Sequence, residues 1–182
     1  MRIITGTPGT GKHTVAASLA REMGLELVDI NKVAIAEGLA EKARGALDVD
    51  AARLRKIIDR YPRDALLVGH LAPYVVSRKN VEVAVVLRRS PYKLEPVYRR
   101  RGYPRKKITE NLGSEIIGVT YYDSVKNFGR KKTFQVDTTG RTPAQTARRI
   151  RSLFEGRGVR EDAVDWLAEI TRRKDLARFF PY

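Results

Sequence analysis

The chain has 182 residues, with 36 lysines and arginines against 21 acidic residues, and its formal net charge is +15. This length suits one globular domain with a buried core. It contains no cysteine, which excludes disulfides and thiolate metal sites, and no apolar stretch long enough to span a bilayer, so we expect a cytoplasmic protein with no membrane partner.

A glycine-rich turn lies between a first predicted strand at residues 2–5 and a helix that stops at Gly24. The turn, here named the phosphate loop, reads Gly-Thr-Pro-Gly-Thr-Gly-Lys-His-Thr over residues 6–14. Glycines let backbone N–H groups converge on an anion, and the helix N-terminus adds partial positive charge. Lys12 can then reach the β- and γ-phosphates of a nucleotide. A turn that binds nothing is the alternative, and the flanking strand and helix count against it.

The residue after the lysine narrows the class of protein. It is usually Ser or Thr, whose hydroxyl contacts Mg²⁺, whereas here it is His13 and the hydroxyl follows at Thr14. The loop resembles that of adenylate kinases, whose pattern Gly-x-Pro-Gly-x-Gly-Lys-x-Thr it matches. GTPases read guanine with a late Asn-Lys-x-Asp, but Asn-Lys-Val-Ala at residues 31–34 lacks the Asp and comes too early. The sequence therefore disfavours a GTPase.

Four further apolar strands are predicted, at residues 25–29, 65–69, 81–87 and 133–137. Because strands alternate with helix-compatible segments, we expect an α/β fold, a three-layer P-loop sandwich with a five-stranded parallel sheet and helices on both faces. Ligands bind such sheets at the carboxyl ends of the strands. The polar residues that follow or close these strands are Asp29, His70, Arg88 and Asp137. One edge of the sheet would collect them with the phosphate loop.

Two segments between the strands resemble the moving parts of nucleoside monophosphate kinases. The first, at about residues 29–52, lies where those enzymes bind the acceptor, and a helix with Leu54, Ile57 and Ile58 on one face follows it. The second, at about residues 99–110, is a basic turn between two helices, which is the form of a phosphate-covering lid. A closed lid would exclude water, so that the phosphoryl group passes to the acceptor. An exposed helical hairpin with a basic turn is the alternative.

The pattern changes near residue 155. We expect a nucleoside monophosphate kinase-like domain over residues 1–155 and a C-terminal helical extension over residues 156–182 that packs on the core. Residues 161–173 predict an amphipathic helix that includes Trp166, Leu167 and Ile170. The aromatic tail at residues 177–182 is expected to dock into its own domain rather than to bind RNA bases.

Basic residues cluster at residues 88–107, 126–132 and 148–151. An excess of positive charge of this size indicates a polyanionic partner, and contact with RNA or a ribonucleoprotein is the favoured interpretation. A solvated basic face is the alternative.

Three blocks together carry a more specific resemblance: the phosphate loop, Gly69-His70-Leu71, and the series that runs from Arg101-Gly102-Tyr103 through Lys107 and Asn111 to Glu115. They are similar to archaeal adenylate kinase-like proteins related to eukaryotic adenylate kinase isoenzyme six, the coilin-interacting nuclear ATPase, over roughly residues 1–150. The resemblance implies a broad-specificity nucleoside monophosphate kinase, converting ATP and AMP to two ADP, with ATPase activity. It also implies a role in late maturation of the small ribosomal subunit and its rRNA, with a small-subunit ribosomal protein of the S-eleven type as partner.

The resemblance assigns roles by position in this sequence. The residues implied to hold the phosphates of ATP are Gly9, Gly11, Lys12, His13, Thr14 and Arg101, with His13 acting chiefly through its backbone N–H. The implied catalytic residues are Lys12, the lid arginine Arg101 and His70, and Thr14 is the implied Mg²⁺ ligand. His70 would orient an attacking water or bond the γ-phosphate. As a lone histidine it could equally cap a helix, and its position favours the functional role.

One position departs from the family. An acid usually stands two residues before the histidine, where this chain has Val68. A carboxylate there would anchor Mg²⁺ or its waters. We therefore expect the metal to be held by phosphates, waters and Thr14, with Asp137 as a remote candidate, and we expect modest turnover.

Two other functions stay open. A ribosome assembly factor switched by its nucleotide, with incidental kinase activity, is favoured by the basic excess and the weakened metal site. A kinase of a sugar or another small metabolite would need a polar acceptor pocket, which we do not find between residues 31 and 50, and it ranks last.

Overall fold

The structure, a computed structural model, describes residues 1–43, 46–158 and 160–180, and of residues 40–43 and 46–48 it describes the backbone. The strands are β1 (Arg2–Gly6), β2 (Leu27–Asp29), β3 (Ala40–Ala43), β4 (Ala46–Val49), β5 (Leu66–Val68), β6 (Val83–Arg88) and β7 (Thr133–Asp137). The helices are α1 (Lys12–Met23), α2 (Ile30–Ala36), α3 (Ala51–Ile58), α4 (Ala72–Val75), α5 (Pro91–Arg100), α6 (Arg105–Ile116), α7 (Val119–Phe128), α8 (Pro143–Phe154), α9 (Trp166–Arg172) and α10 (Leu176–Phe179).

Five strands form one parallel sheet in the order β2-β5-β1-β6-β7. Its central strands are buried on both faces, which is why β6 reads as a continuous apolar run before Arg88. Helices α1 and α8 pack on one face of the sheet, around Leu19 and Ile150. Helices α2, α3, α4 and α7 cover the other face, around Leu54 and Phe128. This confirms the predicted three-layer α/β sandwich.

The segment predicted to bind the acceptor contains an antiparallel pair of strands, β3 and β4, which the sequence reasoning did not predict. The Asp50 backbone N–H donates to the Leu39 carbonyl oxygen at 3.4 Å and closes this pair at its base. Each strand has only four residues, which is too short for the alternation of apolar and polar residues to be evident. Residues 44 and 45 of the predicted segment lie outside the described residues.

A third apolar cluster joins the C-terminal residues to helices α5 and α6. Its buried members are Leu94, Tyr98, Leu112, Ile116, Trp166, Ile170 and Phe179. Trp166 and Ile170 are four residues apart and share one face of α9, whereas Leu167 is rotated away from that face and exposed. Residues 159, 181 and 182 of the predicted extension lie outside the described residues.

The predicted helix over residues 161–173 is wrong at its start, since α9 begins at Trp166. Residues 161 and 162 instead lie along the edge strand β7. The carboxylates of Glu161 and Asp162 accept hydrogen bonds from the backbone N–H groups of Gln135 (3.2 Å) and Asp137 (2.9 Å). This pairing satisfies edge donors that would otherwise face solvent, and it keeps residues 161 and 162 out of the helix. None of the described helices has the length and apolar character needed to cross a membrane.

Candidate functional site

The phosphate loop connects β1 to α1 at the carboxyl edge of the sheet. Gly11 has φ 88°, a left-handed conformation, and it precedes α1 without any side-chain hydrogen bond that caps the helix. A Cβ built on Gly11 would have no atom within 4 Å. The first N–H groups of α1, at Lys12, His13 and Thr14, therefore have no side-chain cap. Such a helix N-terminus is a ready-made site for a phosphate group.

The carbonyl oxygens of the loop are held by side chains from three directions. Thr10 Oγ1 donates to Thr7 O at 2.9 Å, Tyr98 Oη to Pro8 O at 2.7 Å, and Arg89 Nη1 to Gly9 O at 3.0 Å. Burial raises the pKa of Tyr98, so its hydroxyl remains a donor across the physiological range. With the carbonyl groups occupied in this way, the loop has a fixed conformation before any anion binds.

Lys12 is 5 % exposed, and its ammonium group folds over the loop to donate to Thr7 O at 3.2 Å. Burial, and after it the positive charge of Arg101, lower the pKa of Lys12 to about 8, although the charges of Asp29 and Glu115 oppose this shift. The positive charge of Arg101, in the predicted lid, therefore acts on the loop lysine. Two like charges near one another are unfavourable without a counterion, and a phosphate group between them would relieve the repulsion.

A second group of polar side chains lies beside the loop. His13 Nδ1 is 3.1 Å from Asp29 Oδ2, and Asn31 Nδ2 is 3.4 Å from His70 Nδ1. Burial, and after it the charges of Lys12 and His13, lower the pKa of His70 to about 4, and the charge of Asp29 opposes this shift. His70 is therefore neutral at pH 7, and it can hydrogen-bond a water or a phosphate oxygen without adding charge.

The structure brings together most of the residues that the sequence singled out. Lys12, His13 and Thr14 form the start of α1, His70 follows β5 beside them, and the charge of Arg101 reaches Lys12. Asp137, the remote metal candidate, lies elsewhere. Its Oδ1 accepts hydrogen bonds from Thr139 N (2.8 Å) and Thr139 Oγ1 (2.5 Å), at the end of β7, two strands from β1.

Sequence reasoning missed the support of the loop, which depends on Glu115. This carboxylate is 1 % exposed. It accepts hydrogen bonds from Thr7 Oγ1 (2.6 Å), Arg88 Nε (2.8 Å), Arg89 N (3.1 Å) and Trp166 Nε1 (3.1 Å). Glu115 thus ties the phosphate loop, the end of β6, the lid helix α6 and the C-terminal helix α9 together. The signal in the sequence is the place of Glu115 at the end of the series that begins at Arg101, although that series gave it no supporting role.

The helix, basic turn and helix predicted for the lid are present. Helix α5 ends at Arg100 and α6 begins at Arg105. The Tyr98 and Tyr103 rings stack at 5.6 Å between centroids, and Lys107 Nζ lies 4.6 Å from the centre of the Tyr103 ring. The turn is therefore anchored on the same tyrosine that holds the phosphate loop.

Replacing Gly9 by alanine should weaken ATP binding and lower the free energy of unfolding by about 1–2 kcal/mol. Gly9 has φ 85°, and an added Cβ would lie 3.0 Å from Leu94 Cδ2 and 3.2 Å from Tyr98 Cε1. Denaturant unfolding and calorimetric titration with ATP measure the two effects. Gly24→Ala is the matched control, because Gly24 is left-handed at φ 63° but has no atom within 4 Å of an added Cβ. A control that loses as much ATP affinity as Gly9→Ala would contradict this role of Gly9.

Comparison with known proteins identifies both a family and a fold for this chain. The family model described as AAA domain matches residues 3–118. A Thermococcus onnurineus protein named "Putative adenylate kinase" is 30% identical over 169 residues, covering 91% of each chain. A protein with the same name from Thermococcus kodakarensis is 32% identical over 167 residues, covering 90% of each chain. A solved gluconokinase from Sinorhizobium meliloti shares the fold at a TM-score of 0.55 and 16% identity, covering 86% of this chain and 94% of that one.

Proposed function

This chain belongs to the family of archaeal proteins named "Putative adenylate kinase", kinase-type P-loop phosphotransferases, and from this premise we propose that it is a broad-specificity nucleoside monophosphate kinase. It transfers the γ-phosphoryl group of ATP to AMP or another nucleoside monophosphate, and it also hydrolyses ATP. The observation that supports this most strongly is the N-terminus of α1, which has no side-chain cap. Lys12 folds over the loop beside it, and the positive charge of Arg101 acts on Lys12.

The chemistry requires positioning and neutralisation of charge rather than a protein nucleophile. Lys12 and the backbone N–H groups at the start of α1 stabilise negative charge on the phosphates of ATP. Arg101, in the lid, adds a second positive charge that acts on the site of Lys12. His70 is neutral, and it orients a water or bonds the γ-phosphate.

The donors beside the loop fit Mg²⁺, because Thr14 offers a hydroxyl in the first turn of α1 and Mg²⁺ prefers oxygen ligands. When bound, the metal ion would neutralise charge on the β- and γ-phosphates. Val68 supplies no carboxylate at the position where the resemblance implies an acid, and we therefore expect modest turnover.

The proposal extends to ribosome maturation. We propose that the protein acts late in maturation of the small ribosomal subunit and its rRNA, through a small-subunit ribosomal protein of the S-eleven type and contact with small-subunit rRNA. The net charge of +15 and the exposed cations Arg105 and Lys106 on the lid support a polyanionic partner. The second candidate is an assembly factor switched by its nucleotide, with incidental kinase activity, and the same charge together with Val68 favours it.

A coupled assay distinguishes the two candidates. ADP formed from ATP plus AMP is compared with phosphate released from ATP alone, under the same conditions. A kinase forms ADP from both nucleotides faster than it releases phosphate, whereas a switched ATPase shows the reverse order. Capture of isolated small-subunit components at increasing salt tests the ribosomal partner, since binding through phosphates weakens steeply with ionic strength.

Replacing Arg101 by alanine should slow phosphoryl transfer by about 10²-fold while ATP affinity changes far less. Arg101 is exposed on the lid, and its charge acts on Lys12 across the site. Steady-state kinetics and calorimetry separate the rate from the affinity. Arg148→Ala, at an exposed position of α8, is the control and should leave both unchanged. Equal losses of rate and affinity in the Arg101 variant would remove its role in the transition state.

A further inference from the structure

The register of the sheet places a carboxylate next to Val68, the position at which the resemblance implies an acid. Strands β2 and β5 run parallel, and Asp29 is the register partner of Val68. Partners on neighbouring parallel strands direct their side chains to the same face of the sheet. Val68 packs in the apolar cluster formed with α1 and is 1 % exposed. Asp29 therefore lies on the α1 side, which its 3.1 Å contact with His13 of α1 confirms.

The carboxylate of Asp29 has a fixed orientation. Its Oδ1 accepts hydrogen bonds from the backbone N–H groups of Asn31 (3.0 Å) and Lys32 (3.3 Å), and thereby caps α2. Its Oδ2 faces His13 Nδ1 at the start of α1. The side chain is 18 % exposed, so Asp29 is accessible to solvent beside the phosphate loop. The negative charge of Asp29 also acts on Lys12 and His70.

Two other acids near the carboxyl edge of the sheet, Glu115 and Asp137, already accept hydrogen bonds from other parts of the protein. Glu115 is buried and accepts four hydrogen bonds from the loop and its supports. Asp137 accepts hydrogen bonds from Thr139 at the end of β7, two strands away from β1. Asp29 differs from both, because it combines a place beside the start of α1 with access to solvent.

We propose that Asp29 replaces the acid that Val68 does not supply and anchors Mg²⁺ through its metal-bound waters when the nucleotide is bound. The inference rests on the proposed nucleotide kinase function. Neighbouring strands are about 4.8 Å apart, so the carboxylate on β2 lies one strand further from β1 than an acid at position 68 would lie. Mg²⁺ keeps several of its waters in such sites, and a water bound to the metal bridges the added distance.

The test uses the full chain and two substitutions that preserve the helix cap. Asparagine and serine both cap helices well, so Asp29→Asn and Asp29→Ser remove the carboxylate while they keep the hydrogen bonds to α2. Calorimetry measures ATP affinity with Mg²⁺ and with EDTA. In the wild type Mg²⁺ raises the affinity, and in both variants this gain falls by about 10-fold or more. Affinity in EDTA stays equal or rises, because a negative charge near the phosphates has been removed.

A purely structural role of Asp29 gives a different result, since a distorted loop would lower ATP affinity with and without the metal alike. Asp165→Asn is the matched control, because Asp165 caps α9 through Ala168 N at 2.9 Å and lies in the C-terminal residues. It should leave the Mg²⁺ response unchanged. Electron paramagnetic resonance of Mn²⁺ with ATP gives a second readout, and the variants should leave about 10-fold more Mn²⁺ free.

The outcomes separate this inference from the function on which it rests. A wild type that binds no ATP overturns both. A wild type whose affinity rises with Mg²⁺, together with variants that keep the full rise, overturns the role of Asp29 alone. Equal loss of affinity in Mg²⁺ and in EDTA likewise overturns it and assigns Asp29 to support of the loop.

Discussion

Replacing Lys12 by alanine should abolish transfer to AMP and hydrolysis of ATP together, each rate falling by about 10³-fold. Lys12 is the buried cation of the phosphate loop, and its ammonium group lies over the loop at 3.2 Å from Thr7 O. Both reactions break the same bond to the γ-phosphate, so both need the charge of Lys12 in the transition state. Thr10 Oγ1 also donates to Thr7 O, so the loop keeps one hydrogen bond to this carbonyl in the variant.

The measurement is a pair of single-turnover assays, one with ATP and AMP and one with ATP alone. Lys79→Ala is the control, because Lys79 is exposed in the connection that precedes β6, at the opposite edge of the sheet. It should retain both activities. If the Lys12 variant kept either activity while folded, the phosphate loop would not be the catalytic centre.

Replacing Glu115 by glutamine should lower the free energy of unfolding by about 3 kcal/mol, the lower end of the cost of breaking a buried ion pair. The guanidinium group of Arg88 is almost fully buried, and its Nε pairs with Glu115 at 2.8 Å. Glutamine keeps a neutral amide oxygen near Arg88, whose other acceptors are Gln135 Oε1 (3.0 Å) and the carbonyl oxygen of residue 115 (2.6 Å). None of these acceptors carries a full negative charge, so the desolvation of Arg88 is no longer offset.

Thermal unfolding should detect this loss as a decrease in Tm of about 6–12 °C for a chain of this size. ATP affinity should fall as well, because Glu115 accepts a hydrogen bond from Thr7 in the phosphate loop. Glu82→Gln is the control, since the Glu82–Arg2 pair is exposed and should change stability by less than about 1 kcal/mol. A Glu115 variant as stable as this control would show that the network does not support the fold.

The sheet and the phosphate loop could be predicted from the sequence because their signals are local. The glycines before Lys12 and the uninterrupted apolar residues of β6 each specify their structure within a few positions. The pairing of Glu161 and Asp162 with β7 could not be predicted in this way. It depends on carboxylates that reach a strand more than twenty residues earlier in the chain.

The candidate site was predictable in part for the same reason. Lys12, His13 and Thr14 are adjacent in sequence, and His70 follows a recognisable strand. The relation between Asp29 and Val68 depends on strand order and register, which a single sequence does not specify. The interactions of Glu115 join segments separated by up to 108 residues, and only the folded chain brings them together.

The central claim is that the backbone N–H groups at the start of α1, with Lys12, enclose the phosphates of ATP. Calorimetric titration of the pure wild-type protein with ATP and Mg²⁺ tests it most directly. We expect saturable binding of one ATP per chain that is lost in Lys12→Ala and retained in Lys79→Ala. A folded wild-type protein that takes up neither ATP nor ADP with Mg²⁺ present would contradict the claim.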